Sequence, residues 1–330
     1  MLATDSGIEV VGTAPDPVAA ERKLAALAPD VLTLDVEMPR MDGLAFLERL
    51  MHVRPMPVVM VSSLTQAGCE TTLRALELGA VDVVAKPRVD VRERLEELAR
   101  ELVDKVKAAA HARVRPRRTA SGEVRPASPA GPAYRPSDAV VVIGASTGGT
   151  EALREVLVAL PPSTPGIVIV QHMPEGFTAA FARRLDSLTA VRVAEAADGD
   201  RVLSGHVLLA PGNRHVRLVR DGAAVRVAVV DGPPVNQHRP SVDVLFESAA
   251  AVLGPSVVGV LLTGMGRDGA QGLLALRRAG ARTIAQDEAT SVVWGMPREA
   301  IALGAAERVL PLDRVAGAIL TLAASVRAPR

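Results

Sequence analysis

The sequence predicts a two-domain α/β protein in which each domain is built on a mostly parallel sheet. Three observations predict it. Short β-branched runs alternate with helical stretches along nearly the whole chain, the pattern of parallel strands covered by helices on both faces. A segment crowded with Pro, Arg, Ala and Ser interrupts that alternation near the middle. In the second half, period-two alternation around Pro211-Gly212 and Asp221-Gly222 reads as antiparallel hairpins attached to the sheet.

Taken in order, "EVVGTA", "DVLTLD", "PVVMVS" and "VDVVAK" are the predicted strands of the first domain, with "PVAAERKLAALAPD", "GLAFLERLMHV" and "ETTLRALELGA" as the helices between them. The helix "RERLEELARELVDKVKAAA" closes this domain, assigned to residues 1–107. Residues 108–137 are the linker, and residues 138–330 form the second domain. Its strands are "AVVVIG", "GIVIVQ", "SVVGVLLTG" and "RTIAQ", and its helices include "TEALREVLVAL", "FTAAFARRLDSL" and "AQGLLALRRAG".

With 330 residues, 48% of them hydrophobic, and a net charge of +1, the chain suits two well-buried cores and carries no general attraction to nucleic acid or membranes. A single cysteine, Cys69, excludes an internal disulfide and any Cys-based zinc pattern, which fits a reducing cytoplasm. No apolar run approaches the ~20 residues that span a bilayer.

"GASTGG", residues 144–149, lies between a strand and a helix. It lacks the lysine of a P-loop and its glycines do not fit a dinucleotide fingerprint, so phosphate binding matches poorly. A plain turn needs only the glycines, with Thr147 or Thr150 capping the helix. The third reading is a nucleophile elbow, because Gly144 to Gly148 satisfy G-x-S-x-G in the strand–turn–helix setting that motif requires.

A serine hydroxyl needs a base to take its proton and an acid to orient that base. Functional groups of an open parallel sheet collect beyond the carboxyl ends of its strands. Ser146 ends one predicted strand, His172 the next, and Asp268 lies in the glycine-rich loop after a third. His238 is the rival base, in "VNQHRPSVDVLF", where Ser241 reads as a helix cap and Asp243 as a first-turn acid. His52, His111, His206 and His215 read as solvated or locally bonded. Asp287, Asp198 and Asp200 are weaker rivals to Asp268, which has Gly264, Gly266 and Gly269 around it and the Met265 amide available to hold an oxyanion. The alternative for Asp268 is a helix-capping turn residue.

In the first domain Asp35, Ser62 and Lys86 also end strands. A phosphoryl group on Asp35 brings roughly two negative charges that Lys86 and the Ser62 hydroxyl can bind. The alternative is an Asp–Lys pair without chemistry.

With these residues in hand, the whole chain resembles the chemotaxis response regulator protein-glutamate methylesterases, a flavodoxin-like receiver domain linked to a serine-hydrolase domain. The segments that carry the likeness are "LDVEMPRMDGLAFL", "MVSSLT", "TLRALELGAVDVVAKP", "VIGASTGGTEAL", "VQHMPEGFT", "NQHRPSVDVLF", "LLTGMGRDGA" and "TIAQDEATSVVWGMPREAI". The resemblance implies Ser146 as nucleophile, His172 as general base, Asp268 as its orienting acid, Thr147 and Met265 near the oxyanion, and Asp35 as phosphoacceptor with Ser62 and Lys86 as its switch. It implies hydrolysis of glutamate methyl esters and deamidation of glutamines on chemoreceptors, and a chemotaxis histidine kinase as phosphodonor. It also implies a cytoplasmic monomer, no cofactor for ester hydrolysis, and Mg²⁺ for phosphorylation. A response regulator with a non-catalytic nucleotide- or protein-binding output domain is the alternative. A DNA-binding output lacks a helix-turn-helix and a basic face outside the linker.

Receivers of this kind begin with a strand ending in paired acids. "MLATDSGIEVVGTA" matches only the tail of the following helix and the second strand. The expectation is a chain without its natural N-terminus, whose receiver lacks its first, central strand and the acid pair. Asp35 then has no sequence neighbour better than Glu37 to help hold Mg²⁺, and the receiver phosphorylates poorly.

Overall fold

The computed structural model describes residues 1–36, 38, 43–63, 65–86, 92–114 and 139–326. The chain divides into two compact units, Met1–Ala120 and Ser121–Arg330. Glu37 and most of the Pro/Arg-rich linker lie outside the described residues.

In the first unit, α1 (Pro17–Leu27) starts with proline at its first position and Asp16 accepting from the Ala19 amide at 2.8 Å, which satisfies one of the orphan amides of the first turn. It is followed by β1 (Leu32–Asp35), α2 (Gly43–Val53), β2 (Val58–Ser62), α3 (Gln66–Glu77), β3 (Asp82–Ala85) and α4 (Arg92–Ala110). The strands pair in parallel in the order β1-β2-β3. Phe46, Leu47, Val58, Val59 and Met60 form the buried centre between sheet and helices.

The predicted strand "EVVGTA" is not a strand. Residues 8–14 carry no regular structure, and Val10 and Val11 are 47% and 42% exposed. A strand exists through the hydrogen bonds of a neighbour, and here β1 pairs with β2 alone among the described strands. On its other side lies a cavity of about 840 Å³ lined by Val10, Val11, Leu24, Leu32, Leu34 and Val106.

The second unit runs β4 (Val140–Ala145), α5 (Gly149–Val158), β5 (Gly166–Gln171), α6 (Phe177–Leu188), β6 (Arg192–Glu195), β7 (His206–Leu209), β8 (His215–Asp221) and β9 (Ala224–Val230). It continues with α7 (Val242–Leu253), β10 (Val257–Leu261), α8 (Ala270–Arg278), β11 (Arg282–Gln286), α9 (Met296–Ala302), β12 (Arg308–Leu310) and α10 (Leu312–Ser325). Seven strands form one all-parallel sheet in the order β12-β11-β10-β4-β5-β7-β6. Every residue of β4, β5 and β10 is buried, the burial on both faces that their unbroken apolar runs require.

Of the two expected hairpins, one forms. β8 and β9 pair in antiparallel fashion around Asp221-Gly222 and bury Val216, Leu218 and Val227 in one core cluster with Leu245 and Phe246 of α7. Pro211-Gly212 is not a hairpin turn, because β7 joins the main sheet in parallel with β5 and β6. Val207, Leu208 and Leu209 are buried consecutively, so β7 behaves as an interior parallel strand and not as one face of a ribbon.

The chain leaves β4 towards β5 on one side and later returns to place β10 on the other. Strand order therefore reverses at β4, and the crevice beyond its carboxyl end is where an open α/β sheet binds ligands.

Candidate active site

Ser146 follows β4 directly, held by three backbone contacts. Its amide donates to Thr263 O (3.0 Å), and its carbonyl accepts from Gly149 N (2.6 Å) and Gln171 Nε2 (2.9 Å). These tie the serine to the end of β10, the start of α5 and the end of β5. The turn requires glycine. Gly148 has φ +76°, and a Cβ on Gly149 would collide with Gln171 Oε1 and Ala145. Gly148 is the N-cap of α5, in the left-handed conformation that glycine allows.

His172 follows β5. Its amide donates to Ala145 O (3.1 Å), and Ala145 and Gln171 are register partners, so Ser146 and His172 are the next residues off two adjacent strands. Both are buried. Nε2 of His172 lies 2.9 Å from Asp268 Oδ2, while Nδ1 is buried without a hydrogen-bond partner. With Nε2–H donated to a carboxylate, the open lone pair sits on Nδ1, the acceptor a general base needs. The chymotrypsin-type template uses the two nitrogens the other way round.

Asp268 is 1% exposed and accepts from five donors. Besides His172 these are Asn236 Nδ2 (2.8 Å), Ser241 Oγ (2.8 Å), Val242 N (2.6 Å) and Asp243 N (3.3 Å). Burial pushes the carboxyl upward, but the bond and charge of His172, with the bonds from Asn236 and Ser241, outweigh it and hold Asp268 well below the usual carboxylate range. It does not cap α8, whose N-cap is Gly269; it caps α7, where the helix dipole favours its charge. Ser241 is the N-cap residue of α7 but gives its hydroxyl to Asp268 and not to the helix.

Met265 follows Gly264, which packs so tightly on the serine that a Cβ there would lie 2.7 Å from Ser146 Cβ. Thr147 is buried, and its carbonyl accepts from Thr263 Oγ1 at 3.0 Å. Thr147 is the next residue after Ser146, and Met265 the next after the glycine packed on it. The rival acids have structural tasks: Asp287 accepts from Thr290 N and Oγ1, Asp198 from Val229 N, and Asp200 from Ala197 N. His52, His111 and His206 are at the surface or partly so. His215 is buried, with Nδ1 accepting from Ser241 N (3.2 Å) and Nε2–H donating to Pro233 O (3.0 Å). His238 stacks on His172, ring centroids 3.7 Å apart and planes 17° from parallel.

Sequence reasoning missed Asn236, whose amide bridges Asp268 and Asp243 (2.8 and 2.7 Å). Burial, with the Asp268 charge adding to it, pushes the Asp243 carboxyl up to about 6 against hydrogen bonds from Gly272 and Asn236. A carboxyl raised from 3.8 holds a proton in the folded state that the unfolded chain has released. Its contribution to stability is full below that lower value and is lost as pH rises through about 6. Asp243→Asn should therefore show a smaller loss of thermal midpoint than the wild type between about pH 4 and 7, whatever its absolute stability. Equal slopes for the two proteins would contradict this.

In the first unit Lys86 Nζ pairs with Asp35 Oδ2 at 2.6 Å, each side chain about one-third exposed. The Ser62 hydroxyl is not brought to them. It donates to Gly68 O (3.2 Å) and Ser63 O (3.3 Å), and it is the Ser62 carbonyl that accepts from Lys86 N. Among the described residues no group of three or more His, Cys, Asp or Glu side chains is placed to hold a metal. An ammonium 2.6 Å from Asp35, without a cluster of three such groups among the described residues, is a poor fit for Mg²⁺, which needs oxygen ligands in near-octahedral array.

A parallel sheet whose carboxyl edge carries a serine, a histidine and a buried carboxylate at its reversal point is the arrangement of an α/β serine hydrolase. The CheB methylesterase family model matches residues 141–319, and the response regulator receiver domain model matches residues 1–99. Protein-glutamate methylesterase/protein-glutamine glutaminase 5 of Anaeromyxobacter dehalogenans is 61% identical over 98% of this chain and 91% of its own length. A protein of the same name from Bordetella parapertussis is 60% identical over 95% of this chain and 89% of its own. The crystal structure of the Thermotoga maritima CheB methylesterase catalytic domain is similar with a TM-score of 0.55 at 40% identity, covering 56% of this chain and 98% of that one. The chain belongs to the CheB methylesterase family, with a receiver domain ahead of a catalytic domain of the hydrolase class.

Proposed function

We propose that this chain hydrolyses γ-glutamyl methyl esters, and deamidates selected glutamines, on the signalling helices of chemoreceptors in the cytoplasm. The observation that carries the mechanism is the buried His172–Asp268 pair, with Nδ1 of His172 left open beside the serine's strand. His172 takes the Ser146 proton as Oγ attacks the glutamyl carbonyl, and amides beside the serine, those of Thr147 and Met265, receive the oxyanion. The proton passes from His172 to the leaving methoxide or amide nitrogen, releasing methanol or ammonia. Water, deprotonated by His172, then cleaves the acyl-enzyme, and the proton returns to Ser146 as glutamate leaves. Asp268 stays ionised and stabilises the imidazolium in both halves. Methanol release from methylated receptor membranes is the test. Release that depends on this protein supports the reading, and none from a folded preparation contradicts it.

The first unit is the control element in this proposal, with Asp35 receiving phosphate from a chemotaxis histidine kinase and Lys86 meeting the new charge. Ser62 has to leave Gly68 O to take part. Two results are expected. Deleting residues 1–107 raises basal methanol release; a folded truncated protein without that gain would remove the inhibitory role while leaving the chemistry. The full chain takes phosphate at Asp35 from a small-molecule donor poorly, even with Mg²⁺ supplied. Ordinary Mg²⁺-dependent labelling would show that the site is complete.

A further inference from the structure

Asp268 fixes one atom of the His172 ring. A single hydrogen bond at Nε2 leaves the ring free to turn about that contact, and Nδ1 has no hydrogen bond of its own to stop it. Against its face lies a neighbouring ring, near-parallel and 3.7 Å away. We infer that His238 is the positioning residue of the site, its flat face setting the plane of the His172 imidazole so that Nδ1 is presented to Ser146. This rests on the hydrolase reading above.

The backbone that presents His238 supports the assignment. Val235 and His238 exchange both backbone hydrogen bonds (3.0 and 2.9 Å) across a two-residue turn in which Asn236 has φ +50° and Gln237 φ +69°. Positive φ at both central positions defines a turn for which Asn-Gly is the unstrained choice. Asparagine occupies the first position, but a glutamine occupies the second, where its Cβ is opposed by the backbone. Strain of this kind persists only where the surroundings enforce it, and it collects at functional sites. Here the surroundings do so on both flanks. The Asn236 amide is tied to Asp268 and Asp243, Arg239 donates to Asn213 Oδ1 and Gly232 O, and His215 bonds Pro233 on one side and Ser241 on the other. The loop is clamped before and after His238, and the side chain between the clamps is the ring on His172. His238 presents a ring face to the base.

The test compares His238→Leu, which fills space without a flat ring, with His238→Phe, which restores the face but cannot bind a proton. For methanol release, His238→Leu is expected to lower kcat about 10²-fold with KM within about twofold, as a misplaced base does. His238→Phe is expected to recover most of that loss. The rate at which a serine-directed phosphonate labels Ser146 should follow the same order, since labelling needs the base but not the receptor. Wild-type kcat in a folded His238→Leu protein would overturn the inference. So would a folded His238→Phe protein as poor as the leucine variant, which would assign His238 a polar or proton-transfer role. Should the leucine variant fail to fold, the phenylalanine variant decides by itself on the same criterion. If wild-type protein takes no label at Ser146, the hydrolase reading falls first and this inference with it.

Discussion

Methanol release by Ser146→Ala and by His172→Ala should fall by roughly 10³-fold or more, with the fold retained. The serine change removes an oxygen whose hydrogen bonds do not hold the turn, since the contacts that fix residue 146 are made by its backbone. The histidine change removes the acceptor at Nδ1. Asp268→Asn should also lose activity by about 10³-fold, for two reasons that can be separated. An amide cannot stabilise the imidazolium and can hold the ring in the wrong tautomer. It also turns one acceptor into a donor among five donors, at a cost of about 1 to 3 kcal/mol of stability. A lower thermal midpoint is therefore expected in Asp268→Asn but not in Ser146→Ala. Near-normal release from His172→Ala, with His238→Ala inactive, would reverse the assignment of the base.

Gly264→Ala should cost activity by about 10²-fold or more, although residue 264 has no side chain to lose. Its carbonyl accepts from the amides of Gly295 and Met296 (3.0 and 2.8 Å) and its amide donates to Val293 O (3.0 Å), so the backbone there cannot easily retreat. A methyl group would press on Met296 Sδ and stand 2.7 Å from Ser146 Cβ. The methionine can turn aside, but the serine is pinned on both its amide and its carbonyl. With both backbones held, neither can absorb the overlap alone and part of it shifts Ser146, and a displacement approaching an ångström at a nucleophile costs on this scale. Overpacking also lowers stability by about 1 to 3 kcal/mol. Steady-state kinetics beside a thermal melt separates the two effects. A stable Gly264→Ala protein with wild-type kcat would show that the loop gives way instead of the serine.

Ser146, His172 and Asp268 were legible because the sheet is parallel and each residue stands just past an apolar run, so topology brings them together without any knowledge of loops. What orients them was not legible. Asn236, the stacking of His238 and the clasp of His215 depend on a turn with Gln237 at positive φ, a conformation that no residue preference announces. "EVVGTA" has the composition of a strand, but composition does not supply a partner, and the segment lines a cavity beside β1 instead of pairing. β7 was misplaced for a related reason. Four residues cannot distinguish a ribbon from an interior strand until the neighbours on both sides are known. β6 and β12, three or four residues long, went unseen as sheet edges.

The central claim, that Ser146 is activated by the His172–Asp268 pair, is tested most directly by mass spectrometry after treatment with a serine-directed phosphonate. The account predicts one adduct per chain, on the peptide containing Ser146, with labelling nearly abolished in folded His172→Ala. No adduct, an adduct on another serine, or equal labelling without His172 would contradict it.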